Sequence, residues 1–222
     1  MIENKAQQLP TKRLARQPLV RDDPSEFEGL YRLQFQPGAA LTDELFSALS
    51  AANPDLRLER TSHQELEVIA PACGNGSNRN FTLIVQLGMW VEGMGRGLGV
   101  GFDSSGGFLL SNDAIRSPDA SWLAQSRWDA LSPEQKLQYL PLCPDFVVEL
   151  RSPSDSLAKL RRKMKEYITE GAKLGWLIDP LTATVEIYRP GKRVEKLTRP
   201  SEISADPELP GFHLNLKGIL TD

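Results

Sequence analysis

Hydrophobic and polar positions along this chain change period several times, and the changes mark out the elements. Leu45, Phe46 and Leu49 recur at helical spacing, Thr42 and Asp43 can cap the turn before them, and Asn53-Pro54 closes it; this predicts a helix over 42–52. Leu56 to Arg60 alternates apolar with charged residues and Leu66 to Ala70 is a second extended run, so two strands follow. The small residues of Pro71 to Ser77 predict a loop. A helix follows from roughly Asn78 to Glu92, with Phe81, Ile84, Val85, Leu87 and Met89 as its apolar face. The glycine-heavy stretch 93–107 predicts a helix end, a strand around Leu98 to Asp103 and a hairpin turn at Gly106-Gly107. Leu109-Leu110 opens a short strand, and 126–139 is polar with helical character, including a helix start at Ser132-Pro133-Glu134. The remainder alternates: a strand at Phe146 to Leu150, a helix at Ser156 to Gly171, and a buried strand at Leu174 to Ile178. A strand at Val185 to Tyr188 then turns at Pro190-Gly191 into Val194 to Leu197, and Leu209 to Leu216 packs the end. There is no internal repeat.

This order of strands and helices is that of an α/β protein with one core, and 222 residues suit a single sizeable domain. Residues 1–40, punctuated by Pro10, Pro18, Pro24 and Pro37, read as an N-terminal arm, leaving 41–222 as the domain. No run approaches the roughly eighteen apolar residues of a membrane span, and the N-terminus lacks the apolar core of a secretory signal. A cytoplasmic protein with no membrane partner is the expectation. Cys73 and Cys143 are far apart, as are His63 and His213, so no Cys/His zinc site is expected and both thiols are read as core or near-surface groups. Gly95, Gly97, Gly99 and Gly101 satisfy neither G-x-G-x-x-G nor the P-loop pattern. A net charge of −3 weighs against tight nonspecific binding to a polyanion, while leaving room for a locally basic face.

Chemistry concentrates between Asp119 and Lys163. In the strand of PDFVVELRSPSD, Phe146, Val148 and Leu150 share one face, and Asp145, Val147, Glu149 and Arg151 the other. An acid and a base therefore project together from the end of a hydrophobic strand, where α/β sheets usually bind ligands. In the following LAKLRRKMKEYITEG, Leu157, Leu160, Met164, Tyr167, Ile168 and Gly171 form one stripe. At ~100° per residue Lys163 and Arg161 flank that stripe on opposite edges and Arg162 points away, so Lys163 can send its ammonium toward Glu149. Trp122, Trp128 and Trp176 read as packing groups.

The segments LRLERTSHQELEVIAPACG, FDSSGGFLLSNDAIRSPDASWL and PDFVVELRSPSD, followed by LRRKMKEYITEGAKLGWLIDP and VEIYRPG, together resemble the Uma family of the PD-(D/E)xK nuclease superfamily. The likeness runs over about residues 40 to 220, and it lies in the ordered set rather than in any one motif. It implies a restriction-endonuclease-like mixed β-sheet flanked by helices, and a Mg²⁺-dependent endonuclease acting on DNA, with Mn²⁺ as a possible substitute. Ser117-Pro118-Asp119 takes the place of the "PD" element and Glu149 that of the acid in (D/E)xK. Arg151 stands where that motif has lysine, and Lys163 on the next helix takes the lysine role. The implied metal ligands are Asp119 and Glu149, with Asp145 as an alternative to Asp119 and Glu59 as an accessory acid. Arginine stays protonated and cannot serve as a base, so Arg151 is left to hold a phosphate or pair with a carboxylate. Endonucleases that cut both strands often work as two-fold pairs, which makes a homodimer the expected assembly. The substitution at Arg151 and the acidic balance also fit a catalytically inactive binding or scaffold protein on the same fold.

Overall fold

A computed structural model describes residues 30–33, 41–69 and 71–220. The first half comprises β1 (Leu30–Leu33), α1 (Asp43–Ala52), β2 (Arg57–Arg60), β3 (Leu66–Ile69), α2 (Gly74–Glu92), β4 (Gly99–Asp103), β5 (Phe108–Leu109), β6 (Ile115–Arg116) and β7 (Ala120–Ala124). The second comprises α3 (Gln125–Asp129), α4 (Pro133–Lys136), β8 (Phe146–Leu150), α5 (Leu157–Thr169), β9 (Leu174–Asp179), β10 (Thr184–Tyr188), β11 (Glu195–Thr198), β12 (Glu202–Ser204) and β13 (His213–Asn215).

The central sheet has six strands in the order β11-β10-β9-β8-β7-β4. Only β8 and β9 run parallel, because α5 crosses between them; every other pair is antiparallel, so the sheet is mixed. The alternation of β8 sets the layers. Phe146, Val148 and Leu150 pack with Trp176 and Ile178 into one core, which Leu83, Leu87 and Trp90 of α2 and the C-terminal Leu209, Phe212 and Leu214 cover. Val147 and Leu177 face the other way, onto Met164 and Tyr167 of α5. A second, antiparallel sheet, β1-β3-β2-β6-β5, carries α1 on Leu41, Phe46, Leu58, Leu66 and Ile115. Among the described residues no helix is long and apolar enough to cross a membrane.

Much of this follows the periodicity. Thr42 caps α1 by accepting from the Leu45 amide at 3.2 Å, and Ser132 and Gln135 form a reciprocal capping box at the start of α4. Trp122 and Trp176 are buried, and Cys143 is a buried thiol while Cys73 is exposed. The arm lies outside the described residues except for Leu30–Leu33, which pairs with β3 as a strand.

Three expectations change. The loop over 71–77 ends early: Cys73 is the extended N-cap of α2, and Ser77 N–H donates to its carbonyl at 2.9 Å, so the helix begins at Gly74. The face of α2 also differs in part: Leu87 is buried and Ile84 packs against the core as expected, but the rest of the expected stripe is not buried. Its buried residues are Leu83, Leu87 and Trp90, whereas Phe81 is 68% and Met89 71% exposed. Apolar residues surround this helix, so periodicity alone does not choose a side. Finally, Gly106-Gly107 makes no hairpin: β4 pairs with β7, and the chain crosses into the other sheet at β5. Gly107 is needed for packing there, since a Cβ would lie 2.4 Å from the Tyr139 ring. The short strands β6 and β7, on either side of Ser117-Pro118-Asp119, were not foreseen.

Candidate active site

A cavity of about 1070 Å³ is lined by β2, β3, the end of β8, the 152–156 loop, the cavity-side edge of α5 and the start of α2. Glu59, Asp119, Glu149 and Lys163 all line it.

Strand register brings the acids together. Ala120 pairs with Val148, so Asp119, just before β7, is brought beside the Glu149 end of β8. The Leu150 amide, next to Glu149, donates to Asp119 Oδ2 at 2.8 Å. From α5, Lys163 and Tyr167 stand one turn apart and reach the same oxygen: Lys163 Nζ lies 2.9 Å, and the Tyr167 hydroxyl 3.0 Å, from Glu149 Oε1. Lys163 Nζ also donates to Glu59 Oε1 at 2.8 Å, so one ammonium joins the two sheets. The Ser117 amide donates to Glu59 Oε1 at 3.1 Å, and Arg116 Nη1 to Glu59 Oε2 at 3.2 Å. Arg116 is in turn spread over Glu67 and Glu166, at 2.9 and 2.7 Å.

Burial and partners drive the two glutamates apart. Burial, with Asp119 and Glu59 nearby, pushes the Glu149 carboxyl up to about 7 against the pull of Lys163. Burial also opposes ionisation of Glu59, yet Lys163, Arg116 and Arg57 together hold it down at about 2. Burial would lower the Lys163 ammonium, but Glu149 and Glu59 outweigh it and raise its pKa. Tyr167 is raised well above its ordinary value by burial and by those same two carboxylates, so it stays a hydrogen-bond donor.

The donor set suits a hard divalent cation. Among the described residues no group of three or more His, Cys, Asp or Glu is arranged to hold a metal. Mg²⁺, however, takes only one or two protein carboxylates and keeps several waters. Asp119 and Glu149 offer such a pair, and both of Glu149's hydrogen bonds fall on Oε1, leaving Oε2 without one among the described residues. A cation there would also relieve the cost of ionising a buried carboxyl beside two other acids.

Two other residues lie apart from this cluster. Arg151 lines the cavity, but its Nη1 pairs with Asp179 at 3.0 Å and its Nε donates to the Asp155 carbonyl. The alternative metal acid, Asp145, precedes the opposite end of β8, where it accepts from the Ala124 amide at 2.9 Å and pairs with Arg127 and Lys173. It is a tether, remote from the cavity.

Sequence reasoning missed three participants. Tyr167 was placed only in the core stripe, although it lies one turn beyond Lys163. Arg116 left no pattern to find it by. Arg57 could have been found, because it stands two residues before Glu59 and so shares its strand face. Its Nη1 donates to Asp119 Oδ1 at 3.2 Å and its Nη2 to the Ser117 carbonyl. Its Nε is buried without an acceptor among the described residues, an omission that costs about 1–3 kcal/mol.

A helix-flanked mixed sheet of this kind, with acids at the end of a central strand, is a restriction-endonuclease-like α/β fold. A family model described as "Putative restriction endonuclease", Uma2, matches residues 43–217, and the chain belongs to this family. Among solved structures the chain is similar to a "putative nuclease belonging to DUF820" from Anabaena variabilis. The TM-score is 0.61 at 22% identity, over 73% of this chain and 89% of that one, a likeness of fold. No curated protein matches the sequence.

Proposed function

We propose that this protein is a cytoplasmic, Mg²⁺-dependent endonuclease that hydrolyses phosphodiester bonds in DNA, with Mn²⁺ able to replace Mg²⁺. The observation that carries the reading is the meeting of Asp119, Glu149 and Lys163 in one cavity, with Lys163 Nζ 2.9 Å from Glu149. Membership of a family described as restriction endonucleases supports it.

Asp119 and Glu149 would hold the ion through their carboxylate oxygens. When bound there, a divalent cation supplies Lewis-acid polarisation of the phosphate and acidifies water. Lys163 places a positive charge beside the acid pair, where it can orient the attacking water and meet negative charge developing on the phosphate. Tyr167 fixes the Glu149 carboxyl by its 3.0 Å bond, and Glu59, held ionised by its three cations, fixes the ammonium. Catalysis by this set is positioning and electrostatics, with no covalent enzyme intermediate.

The test is cleavage of single- and double-stranded DNA with Mg²⁺ or Mn²⁺, compared with Asp119→Ala and Glu149→Ala. Wild type is expected to cut, and each variant to lose at least about a hundredfold, the scale of removing one preorganised group. DNA left intact by wild type under both metals refutes the reading. A second reading, a non-catalytic scaffold, is favoured by Arg151, which stands in the lysine slot yet is committed to Asp179. Calorimetry separates the two: Mn²⁺ bound by wild type and lost in both variants supports the enzyme, and no binding by any of them supports the scaffold.

A further inference from the structure

The three cations in contact with the Glu59, Asp119 and Glu149 carboxylates are not equally engaged. Lys163 is divided between Glu59 and Glu149, and Arg116 between Glu59, Glu67 and Glu166; their side chains are only 13% and 8% exposed. Arg57 differs. Its side chain is 30% exposed and lines the cavity. A guanidinium carries five N–H donors, and among the described residues this one finds two acceptors, Asp119 Oδ1 and the Ser117 carbonyl. Its Nε is sealed and unmet. The present rotamer therefore leaves donor capacity unused beside the acid pair, at the edge of open space. A swing of the outer torsions would exchange the Ser117 carbonyl for an anion in the cavity, and the guanidinium fork matches two oxygens of a phosphate.

We propose that Arg57 is a substrate-binding residue, which turns from the Ser117 carbonyl to grip a non-bridging oxygen of a phosphodiester next to Asp119 and Glu149. The proposal rests on the nuclease reading, which supplies a nucleic-acid phosphate as the anion. No bond is made or broken in this step, and the guanidinium stays protonated throughout. If Arg57 were solely a counter-ion of Asp119, removing it would change cation binding alone and leave anion binding as it was.

The experiment uses the full chain with a fluorescein-labelled DNA duplex in EDTA, read by anisotropy over a range of salt concentrations. Arg57→Gln is expected to weaken binding about tenfold and to lower the salt slope by about one phosphate contact, while Mn²⁺ affinity measured by calorimetry is kept or tightened. Arg57→Lys should keep the slope and recover only part of the affinity. DNA affinity and slope unchanged in Arg57→Gln overturn the proposal, and so does a wild type that binds no DNA without metal. Should Arg57→Gln fail to fold, Arg57→Lys decides, and wild-type affinity together with wild-type KM in that variant overturns the proposal. Cleavage with Mg²⁺ is scored separately. A wild type that binds DNA through Arg57 without cutting it refutes the nuclease reading alone; cutting by Arg57→Gln at the wild-type rate and KM refutes the role of Arg57 alone.

Discussion

Glu149 and Glu59 share one ammonium and titrate in opposite directions. Glu149 rises from 4.5 to about 7, so between those values the folded protein holds a proton that the unfolded chain has already lost. Its contribution to stability therefore falls as pH rises through that window. Glu59 falls from 4.5 to about 2; its contribution is fully present above 4.5 and is lost as pH drops toward 2. Thermal midpoints measured from pH 5 to pH 8 should carry the Glu149 slope in wild type and lack it in Glu149→Gln; parallel curves would refute the assignment. Mn²⁺ affinity should climb over the same range, because the ion displaces a proton. Tyr167→Phe removes one of the two hydrogen bonds on Glu149 Oε1 and should cost about 1 kcal/mol in urea denaturation. A stability equal to wild type would mean that the hydroxyl does not hold the carboxylate.

At the scale of elements, two glycines make opposite forecasts. A Cβ on Gly99 in β4 would lie 2.2 Å from the Leu123 carbonyl oxygen and 2.5 Å from the Trp122 ring. Gly99→Ala should destabilise by about 3 kcal/mol, the upper end for overpacking. Gly88 in α2 has nothing within 4 Å, so Gly88→Ala should stabilise by about 0.5–1 kcal/mol through helix propensity. Chemical denaturation of the pair checks both signs. These elements also show what the sequence could and could not say. β8, α5 and β9 were legible because period-two and helical patterns follow each other across a single crossover, which brings Lys163 within reach of Glu149. β6 was hidden because two residues carry no alternation, and β7 because its run Ala-Ser-Trp-Leu-Ala is buried almost throughout and lacks a period-two contrast. The buried side of α2 was partly hidden because Phe81, Val85 and Met89 are as apolar as the residues that are buried. Asp119 could be placed beside Glu149 only once the register of β7 was known.

For the whole molecule, the homodimer remains a proposal, and sedimentation of the full chain and of a chain lacking residues 1–29 tests it. A dimer is expected for the full chain; monomers at every concentration would end the idea. The site draws on both sheets: Glu59 comes from the antiparallel one and Glu149 from the mixed one. The motif resemblance suggested this grouping, but no local pattern could supply it, because Glu59 and Lys163 stand 104 positions apart.

The bridge made by Lys163 has a consequence for how the chain can vary. The nitrogen that clamps one layer to the other also fronts the cavity. Under the proposed mechanism, rigidity and reactivity would be vested in a single atom, and a replacement that spared one would forfeit the other. Natural variants should keep this lysine even where chemistry has lapsed, because the architecture would still demand it.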